Sequence, residues 1–258
     1  MNDDIDAIEE HKPRRAIYWL PNTLTTAALF ASFYAIVAAM NGRFQAAAIA
    51  VFIAMIMDNL DSRVAHLTHT ESEFGAQYDS LADMVSFGVA PALIMYEWAL
   101  GAMAQFGKIP GKLGWLAAFI YATAAALRLA RFNVQLGSTD KRYFIGLSSP
   151  AAAAIVVGMV WVGYDSGVKG QDWAWFAFAL TLIAGVLMVS NILYFSFKKR
   201  SGHQTPHIAL IALLIIPIVF MVLDFDPAKF LFTAALLYGA SARCSACGGA
   251  ICACADAI

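Results

Sequence analysis

"MDNLDSRVAHLTHTESEFGAQYDSLADMVSFG", residues 57–88, sets four aspartates, Asp58, Asp61, Asp79 and Asp83, into sequence that is almost unbrokenly apolar on either side. An aspartate at the centre of a membrane helix costs roughly 2.5–3.5 kcal/mol on the insertion scale. Four of them need compensation, and acids inside a membrane segment mark a site by default. At about 100° per residue, Asp58 and Asp61 project ~60° apart on a helix, and Asp79 and Asp83 ~40° apart. Each pair therefore shares one face. The intervening "THTESEF" allows the two helices to run antiparallel, so that the faces meet.

The membrane reading comes from the rest of the chain. Of 258 residues, 60% are hydrophobic and only 14% charged, where soluble domains carry ~25% charged residues. The expected fold is an all-α, polytopic transmembrane bundle of about eight spans. Stretches of the required ~20 apolar residues fall at 23–41, 44–67, 76–104, 113–136, 148–164, 173–197, 207–223 and 227–241. Turn residues separate them at Asn41-Gly42, Pro110-Gly111, Gly137-Ser138, Gly167, Gly170, Ser201-Gly202 and Asp226-Pro227.

Three regions are expected: a cytosolic amino-terminal tail (1–16), a transmembrane catalytic domain (17–241) and an Ala/Cys/Gly-rich carboxy-terminal tail (242–258). The first fifteen residues, "MNDDIDAIEEHKPRR", are acidic then basic with no apolar run, unlike a secretory signal. "AIYWLPN" follows as an interfacial segment, with Tyr18 and Trp19 suited to the headgroup layer. In the last fifteen residues, Cys244 and Cys247 have a zinc-compatible spacing, but Cys252 and Cys254 do not, and no histidine is near. Reduced thiols on a weakly structured tail are the plainer reading.

Basic residues orient the chain. With the amino terminus inside, Lys12, Arg14, Arg15, Lys141, Arg142, Lys198, Lys199 and Arg200 are cytosolic, against Arg43, Lys108, Lys112, Lys169 and Lys229 outside. The four aspartates then gather at the inner membrane surface. No basic surface for nucleic acid is visible.

Converging carboxylates repel unless something neutralises them. Divalent cations do so, and an all-oxygen set suits Mg2+ or Mn2+ rather than zinc. Two such ions clamp the oxygens of a phosphoryl displacement. Ordinary acids at a solvated helix end explain one pair tolerably and two face-matched pairs poorly. A proton or ion pathway would spread acids through the bilayer depth, and the other spans hold almost none. Ser62 and Ala65 lie within roughly 40° of Asp58, and Gly75 one turn before Asp79. Small residues there admit a bulky ligand or a neighbouring helix equally.

The spacing D-x-x-D-x-x-x-A, then G-x-x-x-D-x-x-x-D, resembles the signature of the CDP-alcohol phosphatidyltransferase family, D-x-x-D-G-x-x-A-R followed after eight residues by G-x-x-x-D-x-x-x-D. Asp58, Asp61, Ala65, Gly75, Asp79 and Asp83 match it. "LPNTLT", "SLADMVSFGVAPA", "LRLARFNVQ" and "FIGLSSPAAA" resemble the branch that transfers to serine, so the likeness runs from about residue 17 to 240. Two positions depart. Ser62 stands for glycine, adding a side chain on the nucleotide face. His66 stands for arginine, and with a pKa of ~6.5 an imidazole carries little charge at neutral pH. Arg63 points ~140° away from Asp58 and is no replacement.

The resemblance implies that Asp58, Asp61, Asp79 and Asp83 hold two Mg2+ or Mn2+ ions beside a CDP diphosphate, with Asp83 also the general base. Asp61, Ser62, Ala65, His66 and Gly75 would line the nucleotide and diphosphate. The implied reaction is transfer from CDP-diacylglycerol to L-serine, giving phosphatidylserine and CMP. The chain holds no H-x-K-x-x-x-x-D motif, and no Ser/His/Asp order is evident, which favours a single displacement. Arg128, Arg131 and Asn133 are the candidates for the serine carboxylate, with topology anchoring as the rival reading; Lys141 and Arg142 suit phosphates or anionic headgroups. Alternatives left open are another alcohol (glycerol 3-phosphate or inositol), a transporter, and an inactive lipid-binding relative. The implied setting is a bacterial-type inner membrane, site towards the cytosol, with membrane lipids as partners and a homodimer as one open assembly.

Overall fold

The computed structural model describes residues 19–68, 73–135, 144–190, 193–194, 228–236 and 239. Apart from one two-residue strand pair, the described elements are helical. Helix α1 (Trp19–Met40) and helix α2 (Phe44–Thr68) form an antiparallel hairpin. Its turn closes at Gly42, whose φ of +71° costs a residue without Cβ little. Ala35, Ala38, Ala39, Ala47, Ala48 and Val51 are buried here, and these two helices share the most extensive contact in the described structure. Residues this small let backbones approach closely, the usual means of packing helices in lipid.

Helix α3 (Glu73–Asp83) opens a continuous helical rod. It widens into a π turn at Met84–Val89, returns to α-helix in α4 (Ala90–Met95), then passes a second π turn at Tyr96–Leu100 and a 3-10 turn at Gly101–Phe106. Pro91 accounts for part of this. It has no N–H for the carbonyl four residues back, Phe87, and its ring crowds that position. The buried Tyr121 hydroxyl donates to the Phe87 carbonyl at 3.1 Å instead, as an apolar interior demands of any freed backbone group.

Gly107 (φ +125°) turns the chain into helix α5 (Lys108–Gln135). Pro110 and Gly111, read above as a break, lie in the first turn of α5. Proline is tolerated there because that N–H has no helical partner to lose. Helices α6 (Ser149–Asp165) and α7 (Ala174–Val189) follow. The short strands β1 (Phe144–Ile145) and β2 (Leu193–Tyr194) pair antiparallel across the ends of these two helices. The span expected over 173–197 is therefore too long: Ser190 is extended and the chain turns to strand.

Among the described residues, four helices are long and apolar enough to cross a membrane: Asn22–Met40, Phe44–Val64, Glu73–Phe106 and Lys108–Val134. Helices α6 and α7 are apolar but shorter. The chain is an all-α membrane protein. The expected span at 207–223 and the cysteine tail lie outside the described residues, and of 227–241 a helix is described over 228–236. The described residues do not carry the count of eight.

Candidate metal centre

The acid-bearing ends of α2 and α3 face each other. Asp58, Asp61 and Asp79 each offer a carboxylate oxygen, and these oxygens lie within 4.8 Å of one another. Glu73 and Phe74, read as loop, already belong to α3, so the connection between the two helices is tighter than the sequence implied. Asp83, the last residue of α3 before the π turn, is outside that trio; it lies within hydrogen-bonding reach of Asp58. Two carboxylates that close repel unless a proton or a cation sits between them.

Asp61 is the most enclosed, with 3% of its surface exposed. Its Oδ2 accepts from Thr25 Oγ1 of α1 at 2.7 Å, and its Oδ1 accepts from Ser62 Oγ at 3.3 Å. The Ser62 hydroxyl also lies 3.2 Å from the carbonyl of Asp58. The serine that departs from the family glycine is thus turned back onto its own helix.

Asp79 differs. Its Oδ1 is buried and has no hydrogen-bond partner. A buried, unpaired carboxylate oxygen is costly, and a cation shared with the two further carboxylates would relieve it. The residues therefore fit an oxygen-ligated divalent cation.

Neighbouring elements hold these turns in place. Thr26 Oγ1 donates to the Asn22 carbonyl at 2.7 Å and stands 3.0 Å from the Tyr78 hydroxyl, one residue before Asp79. Asn133 Nδ2, at the end of α5, donates to Ser80 Oγ at 3.1 Å, one residue after Asp79. Of the residues expected to bind serine, Asn133 is thus placed against the acid-bearing helix. Arg128 Nη1 instead donates to Ser149 Oγ at 2.6 Å, at the first turn of α6. Arg131 is half-buried on the same helix. Gly75 lies in the first turn of α3, and Ala65 and His66 continue α2 past Asp61.

Sequence reasoning missed Thr25, Tyr78, Ser80 and Ser149. Thr25 lies in "LPNTLT", quoted above for its resemblance alone; a hydroxyl in an apolar span was the available signal.

A model of the CDP-alcohol phosphatidyltransferase family matches residues 18–189. The chain is similar to proteins named CDP-diacylglycerol–serine O-phosphatidyltransferase. One, from Helicobacter pylori, is 37% identical over 187 residues, covering 72% of this chain and 76% of that protein. Another, from Mycobacterium leprae, is 30% identical over 235 residues, covering 88% and 75%. A third, from Methanocaldococcus jannaschii, is 35% identical over 150 residues, covering 58% and 64%.

Proposed function

Because the chain belongs to the CDP-alcohol phosphatidyltransferase family, we propose from that premise that it transfers the phosphatidyl group of CDP-diacylglycerol to L-serine, giving phosphatidylserine and CMP. The observation that carries the reading is the convergence of Asp58, Asp61 and Asp79 from two membrane helices, in a chain whose relatives are named for this activity.

Asp58, Asp61 and Asp79 would hold divalent cations, with Asp83 completing the set for a second; Mg2+ and Mn2+ suit four carboxylates. Bound there, they would neutralise the diphosphate and stabilise charge on the transferring phosphate and the departing CMP. The chain's own residues do the rest. Asp83 takes the proton of the serine hydroxyl directly or through one water. The freed oxygen attacks the β-phosphorus in line, and the bond to CMP breaks on the opposite side. Ser62, Ala65, His66 and Gly75 would flank the nucleotide and diphosphate. Arg128, Arg131 and Asn133 would receive the serine carboxylate, with Asn133 already joined to Ser80 beside Asp79.

The basic residues at 12–15, 141–142 and 198–200 support a cytosolic site, here assigned to the inner membrane. Residues 17–241 would form the catalytic domain, with membrane lipids around it. CMP release from CDP-diacylglycerol in detergent tests the reading. Release should require a divalent cation and L-serine, and stop in excess chelator. Faster release with glycerol 3-phosphate or inositol would transfer the assignment to another alcohol; no release with any acceptor would leave an inactive relative.

A further inference from the structure

Helix α1 carries none of the acids, yet its hydroxyls reach both acid-bearing segments. Thr25 donates to Asp61, Thr26 stands against Tyr78, and Ser32 Oγ donates to Ser86 Oγ of the π turn at 2.7 Å. These contacts are not equivalent. Thr25 alone among them touches a carboxylate of the centre, at 2.7 Å, and both groups are closed to solvent, Thr25 at 5% exposure and Asp61 at 3%.

We infer that Thr25 is a positioning residue: its hydroxyl fixes the Asp61 carboxylate in the orientation that receives a divalent cation. The inference rests on the metal reading above. An ionised carboxylate has about four lone-pair sites on its two oxygens. Thr25 takes one on Oδ2, and Ser62 takes one on Oδ1 with its hydroxyl and a further one with its backbone N–H, which leaves the carboxylate capacity for a cation. The bond from Thr25 also crosses from α1 to α2. It therefore ties the rotation of the Asp61 side chain to the packing of two helices, whereas Ser62 lies on α2 itself. Partners that orient a metal ligand in this way typically affect metal affinity by about 10–100-fold.

The test is Mn2+ binding to the detergent-purified full chain without substrate, followed by electron paramagnetic resonance of the free ion. Thr25→Val keeps the shape and removes the donor; Thr25→Ser keeps the donor and removes the methyl. Thr25→Val should weaken Mn2+ binding by about 10–100-fold, while Thr25→Ser stays near wild type. Ser32→Ala, which breaks a buried bridge away from the acids, should lower thermal stability in chelator and leave Mn2+ affinity unchanged. Equal Mn2+ affinity in wild type and Thr25→Val would overturn the inference and leave the metal reading standing. So would an equal loss in Thr25→Ser, or in Ser32→Ala, since shape or general packing would then be the cause. If the wild-type chain itself binds no Mn2+, both readings fall together.

Discussion

The acid-bearing end of the bundle and its middle both bury polar groups, and they treat them in opposite ways. In the middle, the Ser32 and Ser86 hydroxyls bond each other, and Tyr121 closes on the Phe87 carbonyl. Those groups are spent inside the protein. At the acid-bearing end, carboxylate oxygens crowd within 4.8 Å and Asp79 Oδ1 has no hydrogen-bond partner. Polar atoms that hold a fold together are satisfied by it; polar atoms kept for a ligand are left with capacity. The same helix, running from α3 through its first π turn, contains both kinds a few residues apart.

Substitutions at the two places should fail differently. Asp83→Asn should cut kcat by about 10²–10⁴-fold, the usual worth of a general base, and leave thermal stability and CDP-diacylglycerol binding largely in place. A wild-type rate of CMP release would remove Asp83 from the chemistry. Arg128→Lys keeps the charge and loses the planar fork. One charge-assisted hydrogen bond is worth roughly 1.5–3 kcal/mol, so serine KM should rise about 10–100-fold with the CDP-diacylglycerol KM unchanged. A shift in the lipid KM alone would place this arginine at the phosphates, and no shift in either would make it a structural tie to Ser149.

In the middle, Tyr121→Phe strands the Phe87 carbonyl. Thermal or denaturant unfolding should show a loss of about 1–3 kcal/mol, with the Mn2+ requirement unaltered. A changed metal requirement would erase the distinction between the two regions. The smallest effect is expected at the family departures. His66→Arg with Ser62→Gly should lower the CDP-diacylglycerol KM, by up to about fivefold if the new cation is worth roughly 0.2–1 kcal/mol. No gain would mean that Ser62, folded back onto Asp58 and Asp61, already serves the site.

Much of the acid-bearing end was legible because charge is conspicuous in apolar sequence. Helical spacing alone brought Asp58 to Asp61 and Asp79 to Asp83, and the structure joins Asp58, Asp61 and Asp79 across the two helices. The middle was not legible. A serine or threonine in an apolar span reads like any small packing residue, so neither Thr25 nor Ser32 announced a partner. Nor did Pro91 announce a π turn, since a proline kink has several outcomes and Tyr121, thirty residues on in sequence, helps select this one. Helix ends moved for a similar reason: Pro110 reads as a break in sequence and as an ordinary first-turn residue once α5 starts at Lys108.

The alanines buried along α1 and α2 have one more effect. Alanine has no rotamers to freeze, so ordering it costs no side-chain entropy, and a contact made of such residues has no second way to repack. The spacing of the two helices is then set by backbone against backbone over their shared length. Thr25 and Asp61 sit near the far end of that hairpin from the Gly42 turn, and they inherit the spacing. A bulkier residue at Ala38, half the helix away from Thr25, would act as a wedge at the hinge of a pair of tongs: the displacement would arrive at the tips, between the hydroxyl and the carboxylate.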